Sequence, residues 1–136
     1  MAAKRGNIVI VEDDWGLNEA LKRVLQAAGF AVTGFNAALP ALHSDATRDA
    51  DCLVVDVNLG DMSGYDLQRR LAAQGHAPPI IIITAHDDAA NRVRAQSIGA
   101  FAYMAKPFSG RALVDAVSRL LSRGEVKGEA RRQDSL

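Results

Sequence analysis

Four isoleucines in a row, Ile80 to Ile83, constrain this chain more than any other stretch. Successive side chains of a strand point to opposite faces, so a strand that is apolar at every position needs cover on both. Pro78-Pro79 introduces the run and Thr84 closes it, which predicts a short strand inside a sheet with helices above and below. Two more runs of this kind follow the same plan. Ile8 to Val11 ends in Glu12-Asp13-Asp14, and Leu53 to Val55 ends at Asp56. Phe30 to Phe35 and Phe101 to Met104 supply two further short strands, the second closing on Lys106-Pro107.

Between the strands, apolar residues recur at helical spacing. Leu17, Leu21, Val24, Leu25 and Ala28 predict a first helix stopped by Gly29. Ala37 to about Ala46 predicts a weak second helix with Pro40 in its first turn. Tyr65, Leu67 and Leu71 mark a third, and Val93 and Ile98, behind a cap at Asp87 or Asp88, a fourth. Ser109 caps a fifth that carries Leu113, Val114, Val117, Leu120 and Leu121. Five strands alternating with five helices call for an α/β fold, a doubly wound five-stranded parallel sheet with right-handed crossovers. A chain of 136 residues holds one such domain. We expect a lead at 1–6, the domain at 7–122 and a mobile polar tail at 123–136.

Sixteen basic residues balance sixteen acidic ones, so net charge gives no reason to expect direct nucleic-acid or membrane binding. No apolar run approaches the roughly 18 residues of a membrane span. The single Cys52 cannot form an internal disulfide and is expected as a small core residue, in keeping with a cytoplasmic location. His43 and His76 stand in polar surroundings and are expected on the surface.

The polar residues that close the strands matter most, because ligands of open parallel sheets bind outside the carboxyl ends of the strands. Gathered there are Glu12, Asp13 and Asp14, then Asp56, Thr84 and Lys106. Several carboxylates facing one crevice repel one another and call for a cation. Mg²⁺ takes one or two carboxylates, keeps waters and is completed by phosphate oxygens, and Mn²⁺ can replace it. Metal, ammonium and hydroxyl together suit a device that holds a phosphoryl group against a nucleophilic Asp56.

Val11-Glu12-Asp13-Asp14, Val55-Asp56-Val57-Asn58, Thr84-Ala85 and Lys106-Pro107-Phe108 resemble, in order and spacing, the motifs of the response-regulator receiver domain. The resemblance covers roughly residues 6 to 122 and implies a flavodoxin-like (βα)5 fold with strand order 2-1-3-4-5. It implies Asp56 as phosphoacceptor, and a metal site of Glu12, Asp13, Asp56 and the backbone carbonyl of Asn58. Asp14 falls to a loop or cap position. Thr84, Ala85 and Lys106 match the phosphate-binding residues, and Tyr103 matches the aromatic that moves inward when Thr84 shifts. A cis peptide at Pro107 is implied, and Asn58 and His86 are placed to tune dephosphorylation. Trp15 is expected either as a partly exposed ring near the metal or packed into the core under the first helix.

The implied protein is a two-component phosphorelay module rather than an enzyme. Its donor is a histidine kinase or histidine phosphotransfer protein, chosen through residues of the first helix near Asn18 and Lys22 together with the loop between the fifth strand and the fifth helix. Its output leaves through the face of the fourth helix, fifth strand and fifth helix, to an unidentified protein or a phosphorylation-promoted dimer. Two departures from the family pattern stand out. Gly60 replaces a frequent proline, and Phe101-Ala102 replaces acids used in one subfamily's dimers. The short tail favours a stand-alone receiver, with a fragment of a longer DNA-binding transcriptional regulator as the alternative. An aspartyl-nucleophile phosphohydrolase is the remote rival, but it wants an acid where Asn58 stands. A flavodoxin-like cofactor binder would meet acids where its phosphate loop belongs.

Overall fold

A computed structural model describes the backbone of residues 5–134 and the side chains of residues 5–123. Its elements are β1 (Asn7–Val11), α1 (Trp15–Ala27), β2 (Ala31–Phe35), α2 (Ala38–Leu42), α3 (Asp45–Arg48), β3 (Cys52–Asp56), α4 (Gly64–Ala73), β4 (Ile80–Thr84), α5 (Ala89–Ser97), β5 (Ala102–Ala105) and α6 (Gly110–Asp134). The five strands form one parallel sheet in the order β2-β1-β3-β4-β5.

β3 and β4 are buried at every residue, as their unbroken apolar sequences require. Alternation then divides the core in two. Val9, Val11, Leu53, Val55, Ile80 and Ile82 pack on one face against α2, α4 and α5. Ile8, Ile10, Cys52, Val54, Ile81 and Ile83 pack on the other against Leu21 and Leu25 of α1 and Leu113, Val117 and Leu120 of α6. Each face buries hydrocarbon worth roughly 25 cal/mol per Å² removed from water, so the two layers hold the central strands from both sides.

Two expectations are corrected. The single weak helix expected at 37–46 is two short ones, α2 and α3, broken at His43-Ser44. Ser44 caps α3 by accepting from the Ala46 N–H, a local bond that competes with continuation of α2. Pro40 sits in the first turn of α2, where no backbone donor is needed. The helix expected to end near 122 runs as backbone to Asp134. Glu, Lys, Arg, Ala and Gln in that stretch are all good helix formers, and no proline stops it. Residues 1–4 of the expected lead, residues 135–136 and the tail side chains lie outside the described residues. Among the described residues, no helix is long and apolar enough to cross a membrane.

Candidate functional site

Strand register builds the site. Val11 lies opposite Val55, so Glu12, one residue further on, is level with Asp56 at the adjoining strand end. Both carboxylates follow the alternation of Ile8, Ile10, Cys52 and Val54, which directs them to the α1–α6 side. Carboxylate oxygens of Glu12, Asp13 and Asp56 come within 4.8 Å of one another. Glu12 is fully buried and Asp56 nearly so, while Asp13 is exposed at the rim. Asp14 caps α1 by accepting from the Leu17 N–H at 3.0 Å.

Lys106 enters from the far edge, one residue past β5. Its ammonium donates to Asp56 Oδ2 at 3.0 Å and to Glu12 Oε1, with 18% of the side chain exposed. The Asn58 N–H donates to the other Asp56 oxygen at 3.3 Å. Burial, and next the neighbouring Asp56 carboxyl, push Glu12 up to about 7. Burial alone would lower Lys106, but its bonds to Glu12 and Asp56 leave it raised on balance. The Lys106-Pro107 peptide is cis.

Gly64 lets α4 approach the site. A Cβ there would stand 2.4 Å from the Asp56 carbonyl oxygen and 2.8 Å from Val55 Cγ1, so any larger residue would displace the end of β3. Gly60, in the preceding loop, has φ +83°, a left-handed conformation that glycine adopts without strain.

Thr84 lies on the opposite face of the sheet, following the alternation of Ile80 and Ile82. It is fully buried, and its hydroxyl accepts the His86 N–H at 2.9 Å. The His86 carbonyl accepts from Asn91 Nδ2 at 2.7 Å, and the Tyr65 hydroxyl donates to the Asn91 carbonyl at 3.0 Å. Tyr103 pairs with Ile82 across β4 and β5 and packs against the same face. Its hydroxyl donates to Asp87 Oδ1 at 3.2 Å.

The family model for the response regulator receiver domain matches residues 8–118. This chain belongs to the response-regulator receiver family. The receiver is 38% identical over 120 residues to the transcriptional regulatory protein CreB of Escherichia coli strain K12, covering 88% of this chain and 52% of that one. It spans about half the length of the curated relatives it matches. Among solved structures it superposes on FixJ-N with a TM-score of 0.77 and 31% identity, covering 90% of this chain and 96% of that one. The BeF3-activated DrrB receiver domain gives 0.78 and 27%, covering 86% and 97%.

The donor chemistry of this receiver fits a hard divalent cation. Three carboxylates converge, and burial beside Asp56 raises Glu12 although Lys106 and the Asp14 N–H both oppose the shift. The other site residues take up less central places. Asn58, Ala85 and His86 are exposed at the mouth, and His43 and His76 lie on the surface away from it. Trp15 opens α1 with 64% of its surface exposed. Asn18 departs from the sequence expectation. It is buried, and its amide donates to the carbonyls of Glu12 at 2.9 Å and Phe35 at 2.8 Å, so it ties strand ends together and offers no surface to a partner. Of the two cap candidates, Asp88 caps α5 by accepting from the Asn91 N–H, and Asp87 instead engages Arg92 and Tyr103. Asp61, which caps a helix 22 residues earlier in the chain, carried no sequence signal.

Proposed function

We propose that this receiver accepts a phosphoryl group on Asp56, and that Thr84, Tyr103 and Lys106 turn its arrival into a change of the face formed by α5, β5 and α6. The observation that carries this reading is the joint engagement of buried Asp56 and Glu12 by the one Lys106 ammonium. The donor is a phosphohistidine on a histidine kinase or phosphotransfer protein, or a small acyl phosphate. An Asp56 oxygen attacks phosphorus and a P–O bond forms as the donor's P–N bond breaks, the departing imidazole keeping the electron pair and gaining a proton from solvent. With an acyl phosphate a P–O bond breaks instead, and a carboxylate leaves with the pair.

Glu12, Asp13, Asp56 and the Asn58 carbonyl would hold Mg²⁺, or Mn²⁺, which when bound supplies positive charge against the carboxylates and the phosphoryl oxygens. Lys106 moves its hydrogen bonds from Asp56 to the phosphoryl group, while the Thr84 hydroxyl and the Ala85 N–H meet other oxygens. The adduct adds about two negative charges. Thr84 shifts toward them, the bond from His86 yields, and Tyr103 turns inward. Water then hydrolyses the acyl phosphate to inorganic phosphate and the restored carboxylate. Asn58 and His86, exposed at the mouth, set how readily that water attacks.

The working unit in this reading is residues 7–122, acting in the cytoplasm, with an output protein or a second copy bound through the α5-β5-α6 face. Intact mass spectrometry after incubation with acetyl phosphate and Mg²⁺ tests it. One phosphoryl adduct is expected on the wild type, dependent on Mg²⁺ and absent from Asp56→Asn. An adduct of equal yield on the variant would remove Asp56 from the role.

A further inference from the structure

Asp87 joins three elements that a phosphorylation switch would have to move apart. It lies in the loop between β4 and α5, three residues after Thr84. Its two carboxylate oxygens take Nε and Nη2 of Arg92, in the first turn of α5, at 2.8 Å each. The same Oδ1 accepts the hydroxyl of Tyr103 on β5 at 3.2 Å. A two-pronged guanidinium–carboxylate pair fixes the carboxylate plane as well as its position. The acceptor offered to Tyr103 is therefore aimed, not loosely tethered. The hydrogen bond from Arg92, more than any other influence, holds the Asp87 carboxyl below the usual range, so it is charged and a strong acceptor at neutral pH.

The loop that carries Asp87 is anchored at its other end to Thr84. The His86 N–H donates to the Thr84 hydroxyl, and the His86 carbonyl is held by Asn91. A Thr84 that swings toward Asp56 pulls on His86 and, through one peptide, on Asp87. A Tyr103 that turns inward must first leave Asp87. Both movements work against the same carboxylate.

We propose that Asp87, oriented by Arg92, is a positioning residue that holds the Tyr103 hydroxyl at the β4–α5 loop and thereby sets the resting balance of the switch. This rests on the phosphoacceptor reading above for its consequence, though not for its geometry. An equilibrium between two arrangements shifts by as much as a group favours one of them. Exposed pairs of this kind are worth roughly twofold to fivefold in an equilibrium constant. Removing Asp87 is therefore expected to raise the inward population and to tighten binding of a phosphoryl mimic by roughly that factor.

The test uses the whole chain and two readouts. With only two tyrosines present, ring-labelled NMR separates Tyr103 from Tyr65. In ligand-free protein, Asp87→Ala should shift the Tyr103 ring signals and average its side-chain rotamers, and Asp87→Glu should restore part of the wild-type spectrum. An unchanged Tyr103 spectrum overturns the clamp, whatever the site does. Fluoroberyllate is then titrated with Mg²⁺ into wild type, Asp87→Ala, Tyr103→Phe and the double variant. The expected result is a midpoint roughly twofold to fivefold lower for Asp87→Ala and no further change when the tyrosine hydroxyl is already gone. A responding wild type with an unmoved Asp87→Ala midpoint, or an equal effect in both backgrounds, rejects the link to switching. A wild type that ignores fluoroberyllate rejects the phosphoacceptor reading instead, leaving the NMR result to stand alone for the clamp.

Discussion

Asn18 shows what one buried amide can do. Its Nδ2 serves two carbonyls that end β1 and β2, and Gly34 makes the room: a Cβ there would stand 2.4 Å from Asn18 Oδ1. Asn18→Ala strands the Glu12 carbonyl, a loss of about 1–3 kcal/mol, while the Phe35 carbonyl keeps the Glu12 N–H at 3.0 Å. Urea unfolding of Asn18→Ala should show a lower midpoint, whereas Lys22→Ala, on the same helix but half-exposed, should unfold within about 0.5 kcal/mol of wild type. Equal midpoints for Asn18→Ala and wild type would mean that water replaces the amide without cost. Sequence alone could not separate these two residues. Both are polar positions on an amphipathic helix, and only the approach of β2 at Gly34 brings Asn18 under cover. Cys52 is the reverse case. Its place in an apolar run already indicated burial, and burial, reinforced by the charge of Asp51, pushes its thiol up to about 12.

At the scale of elements, helix α2 begins with no cap of its own, because Ala37 has no side-chain acceptor. Asp61, from the loop that follows β3, takes the Ala38 and Leu39 N–H groups at 3.0 and 2.9 Å. The Leu39 N–H is the main reason that its carboxyl lies below the ordinary range. A depressed carboxyl stabilises the fold above its ordinary pKa, and that contribution disappears as pH falls through the lowered value. Carboxyl NMR should therefore place the Asp61 midpoint below that of an exposed aspartate, and Asp61→Ala should cost about 1 kcal/mol at neutral pH and less in acid. A normal Asp61 titration would break the argument. This capping pair explains why α2 was only weakly legible. Its stabilising group sits 22 residues away in sequence, and the break at Ser44 is a local bond that helical periodicity does not register. The strand ends, by contrast, were readable residue by residue. Each apolar run stops where a polar side chain is needed, and parallel register makes those stops converge. What spacing could not yield was which loop residue reaches which neighbour, as with Asp87 and Tyr103.

For the whole molecule, one central sheet serves two separate hydrophobic layers, so adjacent isoleucines test different halves of the core. Ile81→Ala removes packing on the α1–α6 side and Ile82→Ala on the α2-α4-α5 side. Each should lower stability by about 2–5 kcal/mol, with a single shared transition by circular dichroism and by hydrogen exchange. Two transitions in either variant would show that the layers melt independently. The site straddles the same division: Glu12 and Asp56 project to one layer, Thr84 and Tyr103 to the other, and Lys106 approaches from the edge. The one tryptophan stands outside both layers, at the start of α1 beside the acidic loop. Its emission in the native protein should already resemble that of an indole in water. Unfolding would then change that colour little, making tryptophan fluorescence a poor thermometer of this fold, while events at the neighbouring carboxylates would register in its intensity.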